Sequence, residues 1–323
     1  MDTLTEVLDN IRASGALIGQ NLLSAPWSVC VEPGATITVA AMLRGDGWIL
    51  REGAEPVHLG TRDLVVLTGR ESAVLASDQV GTAEPTCIVT PDGVRDETAE
   101  RLLDGERLGH AESGGGSPLL AEHALLAGSF PTSGRIAERL LGALPPLLVV
   151  PRAQQRSRAL DFLELEIENN EPGQQAVLDR LLDIVLIGAL RDWFALPEVS
   201  APAWFGATSD PVVGPALHAL HAEPSRDWSV ETLARRAQVS RATFARRFAE
   251  VMGEPPISYL AGWRLCLAAD LLQESESTLA SIARQVGYSS AYALSAAFTR
   301  EYGIRPSQYR HRVRAGADQP VTT

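Results

Sequence analysis

The sequence predicts an α+β protein: an N-terminal antiparallel β-barrel, then a helical dimerisation segment, then a C-terminal all-α domain with two helix-turn-helix units. Three observations carry this. Short β-rich runs between Gly, Asp and Pro turns fill Trp27 to about Val89, the pattern of a barrel or jelly roll. From Ile136 the apolar period becomes helical. Near the C-terminus, a capped helix, a short turn and a second capped helix occur twice, about 48 residues apart. The expected boundaries are 1–135 for the barrel, 136–196 for the helical segment, 197–213 for a linker, 214–314 for the domain with the helical units (about 230–252 and 279–302), and 315–323 for a disordered tail.

Along the barrel, Thr36-Ile37-Thr38-Val39, Gly47-Trp48-Ile49-Leu50 and Leu64-Val65-Val66-Leu67 read as strands. A short amphipathic helix is expected over 4–11. Residues 91–117 are polar and contain Ser113-Gly114-Gly115-Gly116-Ser117, flexible-linker chemistry that predicts a mobile loop. Leu119 to Gly128 returns as a last strand. Leu140, Leu141 and Leu144 form a helical stripe that Pro145-Pro146 stops. Ser157 to Asn169 and Gln174 to Leu196 each read as a helix. The second has a wide apolar stripe that must be buried against the barrel, a partner subunit or both. Pro197 to Pro215 has the composition of an interdomain linker.

In the first C-terminal unit, Ser229 caps a helix with Leu233, Ala234 and Ala237 facing in. Gln238-Val239 turns the chain, and Ser240 caps Arg241 to Met252, whose core face is Phe244, Phe248 and Val251. In the second, Thr278 caps a helix with Leu279, Ile282, Ala283 and Val286 apolar. Gly287 makes the turn, and Ser289 or Ser290 caps Ala291 to Tyr302, with Leu294 and Phe298 inward. A long helix, Ile257 to Gln273, fixes their separation. One such pattern matches a core helical hairpin as well as a DNA-binding unit. Two in tandem, both capped, point to DNA.

Charge agrees. The chain has 323 residues, enough for two domains, and a net charge of −12. Residues 225–314 hold 13 arginines against 8 acids, whereas residues 1–224 hold 15 arginines against 31 acids, and there is no lysine. An acidic half joined to a basic half suggests a nucleic-acid-binding module carried by something else. The longest aliphatic run, Ile184 to Leu190, is far short of the roughly 20 residues that span a bilayer. The opening residues lack a secretory pattern, and three cysteines are too few for a disulfide scaffold or zinc cluster. The expected setting is a reducing cytoplasm, away from membranes.

These residues resemble the C-terminal domain of AraC/XylS-type transcription regulators over about 214–314. The resemblance lies in Ile282-Ala283-x-x-Val286-Gly287-Tyr288-Ser289, Phe298-x-x-x-Tyr302-Gly303 and Arg305-Pro306-Ser307-Gln308-Tyr309-Arg310, with Leu233-Ala234 and Ser240-x-x-x-Phe244-x-Arg246-x-Phe248 in the first unit. It implies a regulator that binds double-stranded operator DNA as a homodimer, and RNA polymerase as well if it is an activator. The implied DNA contacts are Arg241, Ala242, Thr243, Ala245 and Arg246, then Ser290, Ala291, Tyr292, Ser295, Ala296 and Arg300. The second set offers no arginine at the base-reading positions, so the first helix is expected to dominate direct readout. Gln238 stands where the family often has Gly, which predicts strain if φ is positive there.

The N-terminal half is similar to the cupin-type sensor domain of a subgroup of these regulators, through Leu59-Gly60-Thr61-Arg62-Asp63-Leu64-Val65-Val66-Leu67 and Leu140-Leu141-x-x-Leu144-Pro145-Pro146-Leu147. Metal-dependent cupin enzymes need a His-x-His pair, and residues 34–43 contain no His. The alternative of a metal-dependent cupin enzyme with an appended DNA-binding module is therefore disfavoured, and no metal or cofactor is expected. The signal is a small molecule or a redox change. Glu84-Pro85-Thr86-Cys87-Ile88-Val89 resembles the surroundings of a sensing cysteine in one regulator of this subgroup that responds to reactive chlorine species. Cys30 does not match the partner cysteine's position. As redox sensors, Cys30 and Cys87 compete with a plainer reading as small apolar core residues, which is preferred because nothing lowers a thiol pKa. Cys266 reads as core. Trp27 and Trp48 are candidates to line a barrel pocket. His218 and His221, three apart on a helix, lack further ligands nearby in sequence, and the acidic run Glu164, Glu166, Glu168 and Glu171 reads as a solvated helix face.

Overall fold

The computed structural model describes residues 19–34, 36–90, 93–95, 122–131, 134–136, 138, 142, 144–168, 172–197, 199, 203–207 and 209–317. The helix expected over 4–11 and most of the 91–117 loop lie outside them. The chain divides into a sheet-rich unit (within 11–132 and 144–200) and a helical unit (within 133–143 and from 201 on).

The sheet-rich unit has strands β1 (Gly19–Leu23), β2 (Ser28–Val31), β3 (Thr36–Arg44), β4 (Gly47–Arg51), β5 (Val57–Leu59), β6 (Leu64–Leu67), β7 (Ala73–Ala76), β8 (Cys87–Thr90), β9 (Gly93–Arg95), β10 (His123–Pro131) and β11 (Leu147–Val150). They form two sheets rather than one closed barrel, ordered β1-β10-β3-β6-β11 and β5-β4-β7-β2-β8-β9. All described pairings are antiparallel except β2 with β8, which run parallel. The core between the sheets holds Trp27, Val29, Met42, Ile49, Val65, Leu75, Cys87 and Leu125. Period-two alternation explains which residues enter it. Ile49 faces the core, while its neighbour Trp48 packs edge-to-face on His58 across β4–β5, ring centroids 4.9 Å apart. Trp27 is therefore interior, and Trp48 is not.

All four residues of β6 are buried, because this sheet is covered on both faces. Its outer face meets α2 (Gln174–Phe194), on which α1 (Ala159–Glu168) packs in turn. Leu182 of α2 sits so close to Gly128 that a Cβ there would lie 2.2 Å from it. The wide stripe of α2 is thus buried on the sheet of its own chain. Phe162, Leu165, Val177 and Ile184 of the same helices stay exposed. Arg62 braces this packing through ion pairs with Asp161 and Glu164 of α1, so Glu164 is part of a salt bridge rather than a solvated face. The segment 136–196 is not helical throughout, since Pro145-Pro146 leads into strand β11.

The helical unit comprises α3 (Ala203–Ala207), α4 (Gly214–Ala222), α5 (Val230–Arg236), α6 (Arg241–Met252), α7 (Pro256–Glu274), α8 (Leu279–Val286), α9 (Ala291–Tyr302) and α10 (Pro306–Ala317). It has two cores. One joins Ala207, Val213, Leu217, Leu233, Phe244, Phe248 and Tyr259. The other joins Leu265, Ala269, Ile282, Leu294, Phe298 and Tyr309. Helix α7 runs through both and holds them at a fixed spacing. Two expectations change here. The segment 197–213 contains α3, and Ala207 and Val213 are fully buried, so this stretch is built into the unit rather than only linking to it. Residues 315–317 continue α10, and 318–323 lie outside the described residues. Residues 134–136 also belong to this unit. The Arg135 and Ile136 amides donate to the Asp270 carboxylate at 2.5 and 3.3 Å, and the Arg135 guanidinium lies over the Tyr302 and Tyr309 rings.

Candidate nucleic-acid interface

Each second helix starts on a serine. Ser240 Oγ accepts the Thr243 amide at 3.2 Å, and Ser290 Oγ accepts the Ala293 amide at 3.1 Å. Each bond satisfies one of the four amides that its helix leaves open at its start. Ser290, rather than Ser289, is the cap. Helix α6 buries Phe244 and Phe248 and presents Arg241, Ala242, Thr243 and Arg246 outward, with Ala245 half-buried. Helical spacing puts Arg241, Ala242, Ala245 and Arg246 on one face. Thr243 sits apart from them, its hydroxyl 2.9 Å from Ser240 Oγ inside the cap. Arg246 is held by Glu250, one turn on, at 2.7 Å. This solvated pair gives little stability and leaves the guanidinium available.

Helix α9 buries Leu294, Ala297 and Phe298. Its outer side shows Ser290, Tyr292, Ala296 and Arg300 exposed, with Ala291 and Ser295 half-buried.

Not every arginine of the basic half faces outward. Arg247, one residue from Arg246, points the other way and grips Asp210 Oδ2 through Nε and Nη2 at 2.9 and 2.6 Å. Asp210 Oδ1 accepts the Val212 and Val213 amides, both at 2.9 Å. Burial pushes the Asp210 carboxyl up, but those amides and the guanidinium outweigh it and hold the group below the usual range. Arg264 donates to the carbonyls of Pro224 and Arg226 at 2.7 and 2.8 Å. These braces are absent from the sequence reading. Their signal is periodicity: Arg247 falls three residues after Phe244, at the edge of the apolar face. His221 is also a brace, buried, stacked on Trp263 and bonded through Nε2 to the Tyr259 hydroxyl at 2.7 Å.

The cysteines of the sheet unit lie on neighbouring strands, with Val29 opposite Cys87 and Cys30 opposite Ile88. Opposed residues share a face and adjacent ones do not. Cys87 therefore points into the core and Cys30 away from it, and a disulfide between them requires a change of register. Burial, then the Glu32 carboxylate, raises the Cys30 thiol pKa. Cys266 is buried on α7, and the Tyr302 hydroxyl donates to its Sγ at 3.8 Å.

Two capped helix-turn-helix units on one rigid helical rod, joined in one chain to a two-sheet unit, define a DNA-binding transcription regulator. Residues 2–195 match the family described as Cupin and residues 233–312 the family described as Helix-turn-helix domain. The chain is 34% identical over 315 residues to a Streptomyces lividans protein described as an AraC-like transcription regulator, covering 96% of this chain and 98% of that one. The chain belongs to the AraC family of transcription regulators and carries a cupin N-terminal domain. It is also similar to the RCS-specific HTH-type transcriptional activator RclR of Escherichia coli K12, 33% identical over 156 residues, 48% of this chain and 55% of that one. Among solved structures, the DNA-binding domain of AdpA in complex with a target DNA aligns over 34% of this chain and 99% of that one, with 36% identity and a TM-score of 0.32.

Proposed function

We propose that this regulator acts as a homodimer. In this reading the cupin unit receives the signal, α1 and α2 join two protomers, and the reading faces of α6 and α9 enter successive major grooves of operator DNA. The cupin unit senses rather than catalyses, in keeping with a sequence that lacks the His-x-His pair of metal-dependent cupins. The signal shifts the population between arrangements of the DNA-binding units that fit or miss the operator. It is a small molecule or a redox change. In the redox case Cys30 and Cys87 act as separate thiols, since they face opposite sides of their sheet. As an activator, the protein would also contact RNA polymerase.

The observation that carries the DNA reading is the outward face of α6, where Arg241 and Arg246 stand exposed beside the small side chains of Ala242 and Ala245. Exposed guanidinium groups at the start of a recognition helix suit bidentate pairing with guanine O6 and N7, and alanines let the helix approach the base edges. The test is selection of duplexes from a random pool by the full-length protein, followed by titration with the Arg246→Ala variant. A loss of about 1–3 kcal/mol confined to sites with one particular guanine is expected. A loss of equal size on every duplex would make Arg246 a phosphate contact, and no enrichment of any sequence would defeat the reading.

A further inference from the structure

Helix α9 has a different chemistry from α6. Its base-reading positions, Ala291, Tyr292, Ser295 and Ala296, carry no guanidinium and no carboxamide. Those are the groups that pair bidentately with guanine or adenine. What α9 offers instead is an aromatic ring. Tyr292 is 84% exposed, more than any other large hydrophobic side chain among the described residues. It serves neither core, because the inward face of α9 is Leu294, Ala297 and Phe298. It is the second residue after the Ser290 cap, on a helix whose far end is closed by the Gly303 amide on the Thr299 carbonyl, so its backbone is held in place. Ala296, one turn on, is exposed and small.

An apolar side chain in the major groove can distinguish one feature of a base pair, the C5 methyl group of thymine. We infer that α9 reads thymine methyl groups, with the Tyr292 ring as the principal contact and Ala296 giving the clearance for it. The operator half-site then has two unlike boxes, one with guanine under α6 and one with thymine under α9. This inference rests on α6 and α9 being groove-inserted helices, as proposed above.

The test removes the methyl group and nothing else. Duplexes selected by the full-length protein are remade with deoxyuridine replacing thymine at one position at a time. Substitution at one or two positions in the box away from the Arg246-dependent guanine should weaken binding roughly fourfold each, the factor for about one buried methylene-sized group. Binding by Tyr292→Ala should no longer distinguish thymine from deoxyuridine, while Tyr292→Phe should still do so. Indifference of the wild-type protein to every thymine replacement overturns the inference and leaves the DNA reading standing. So does a Tyr292→Phe variant that behaves like Tyr292→Ala, since the hydroxyl and not the ring would then be the reader. Failure to select any sequence overturns both.

Discussion

Gln238 and Gly287 occupy the same place in the two helix-turn-helix turns, nine residues after the caps Ser229 and Thr278. The backbone makes the same bonds in each. Val239 N donates to Ala234 O and Gln238 N to Arg235 O, as Tyr288 N does to Ala283 O and Gly287 N to Arg284 O. This is the helix-ending motif that wants a left-handed residue after the cap, and φ is +56° at Gln238 and +86° at Gly287. A side chain strains that conformation. Gln238 is exposed, so Gln238→Gly loses no packing and should stabilise the protein by about 1 kcal/mol. Gly287→Ala should be strongly destabilising, because the new Cβ would also lie 2.7 Å from Ser225 Cα. Urea midpoints of the two variants check this, and a lowered midpoint for Gln238→Gly would refute the strain account. The tension at Gln238 is legible in the sequence because turn chemistry is local. The opposed faces of Cys30 and Cys87 are not, because a face is fixed only once strand register is known.

Elements were legible to the extent that their ends are written in single residues. Ser240 with Gly253 and Ser290 with Gly303 bracket α6 and α9, and the exposed and buried faces follow from the 3.6-residue period. Strand order was not legible, since pairing is non-local and the parallel β2–β8 neighbours are separated by five intervening strands. Helix α3 was hidden by the prolines around it. What secures this region is the Asp210 carboxylate, which ties the start of α4 to α6 through Arg247. A carboxyl held below its usual pKa stabilises the fold fully above its unfolded value of about 3.9, and that contribution is lost as pH falls through the lowered folded value. Asp210→Asn should therefore be less stable at pH 7 by about 1–2 kcal/mol, a modest figure because Arg247 is half-exposed. Its loss of stability below pH 4 should be shallower than that of the wild type. Equal acid slopes in chemical denaturation would show that Asp210 does not titrate with unfolding.

At the scale of the molecule, the net charge of −12 opposes DNA binding, and the favourable field comes only from the arginine-rich helical unit. Such a protein gains by placing two of those units on one DNA. The second contact is then intramolecular and does not bear the full cost of association. In the proposed dimer α1 and α2 supply the means, since Phe162 and Leu165 on α1 and Val177 and Ile184 on α2 are 45–62% exposed while most of the other apolar residues of α2 are buried against the sheet and α1. Exposed apolar side chains gathered on one helix pair mark association surfaces in soluble proteins. Leu165→Glu combined with Ile184→Glu should yield a monomer by analytical ultracentrifugation, still folded by circular dichroism because both side chains are exposed within a single protomer, and melting at a temperature that no longer depends on protein concentration. On a DNA with two half-sites, the slope of log affinity against log salt should fall to about half, since half the phosphates are neutralised. On a single half-site the variant and the wild type should bind alike. A wild-type protein that sediments as a monomer at micromolar concentration would remove α1 and α2 as the joint. An unchanged salt slope in a monomeric variant would mean that one protomer makes all the phosphate contacts.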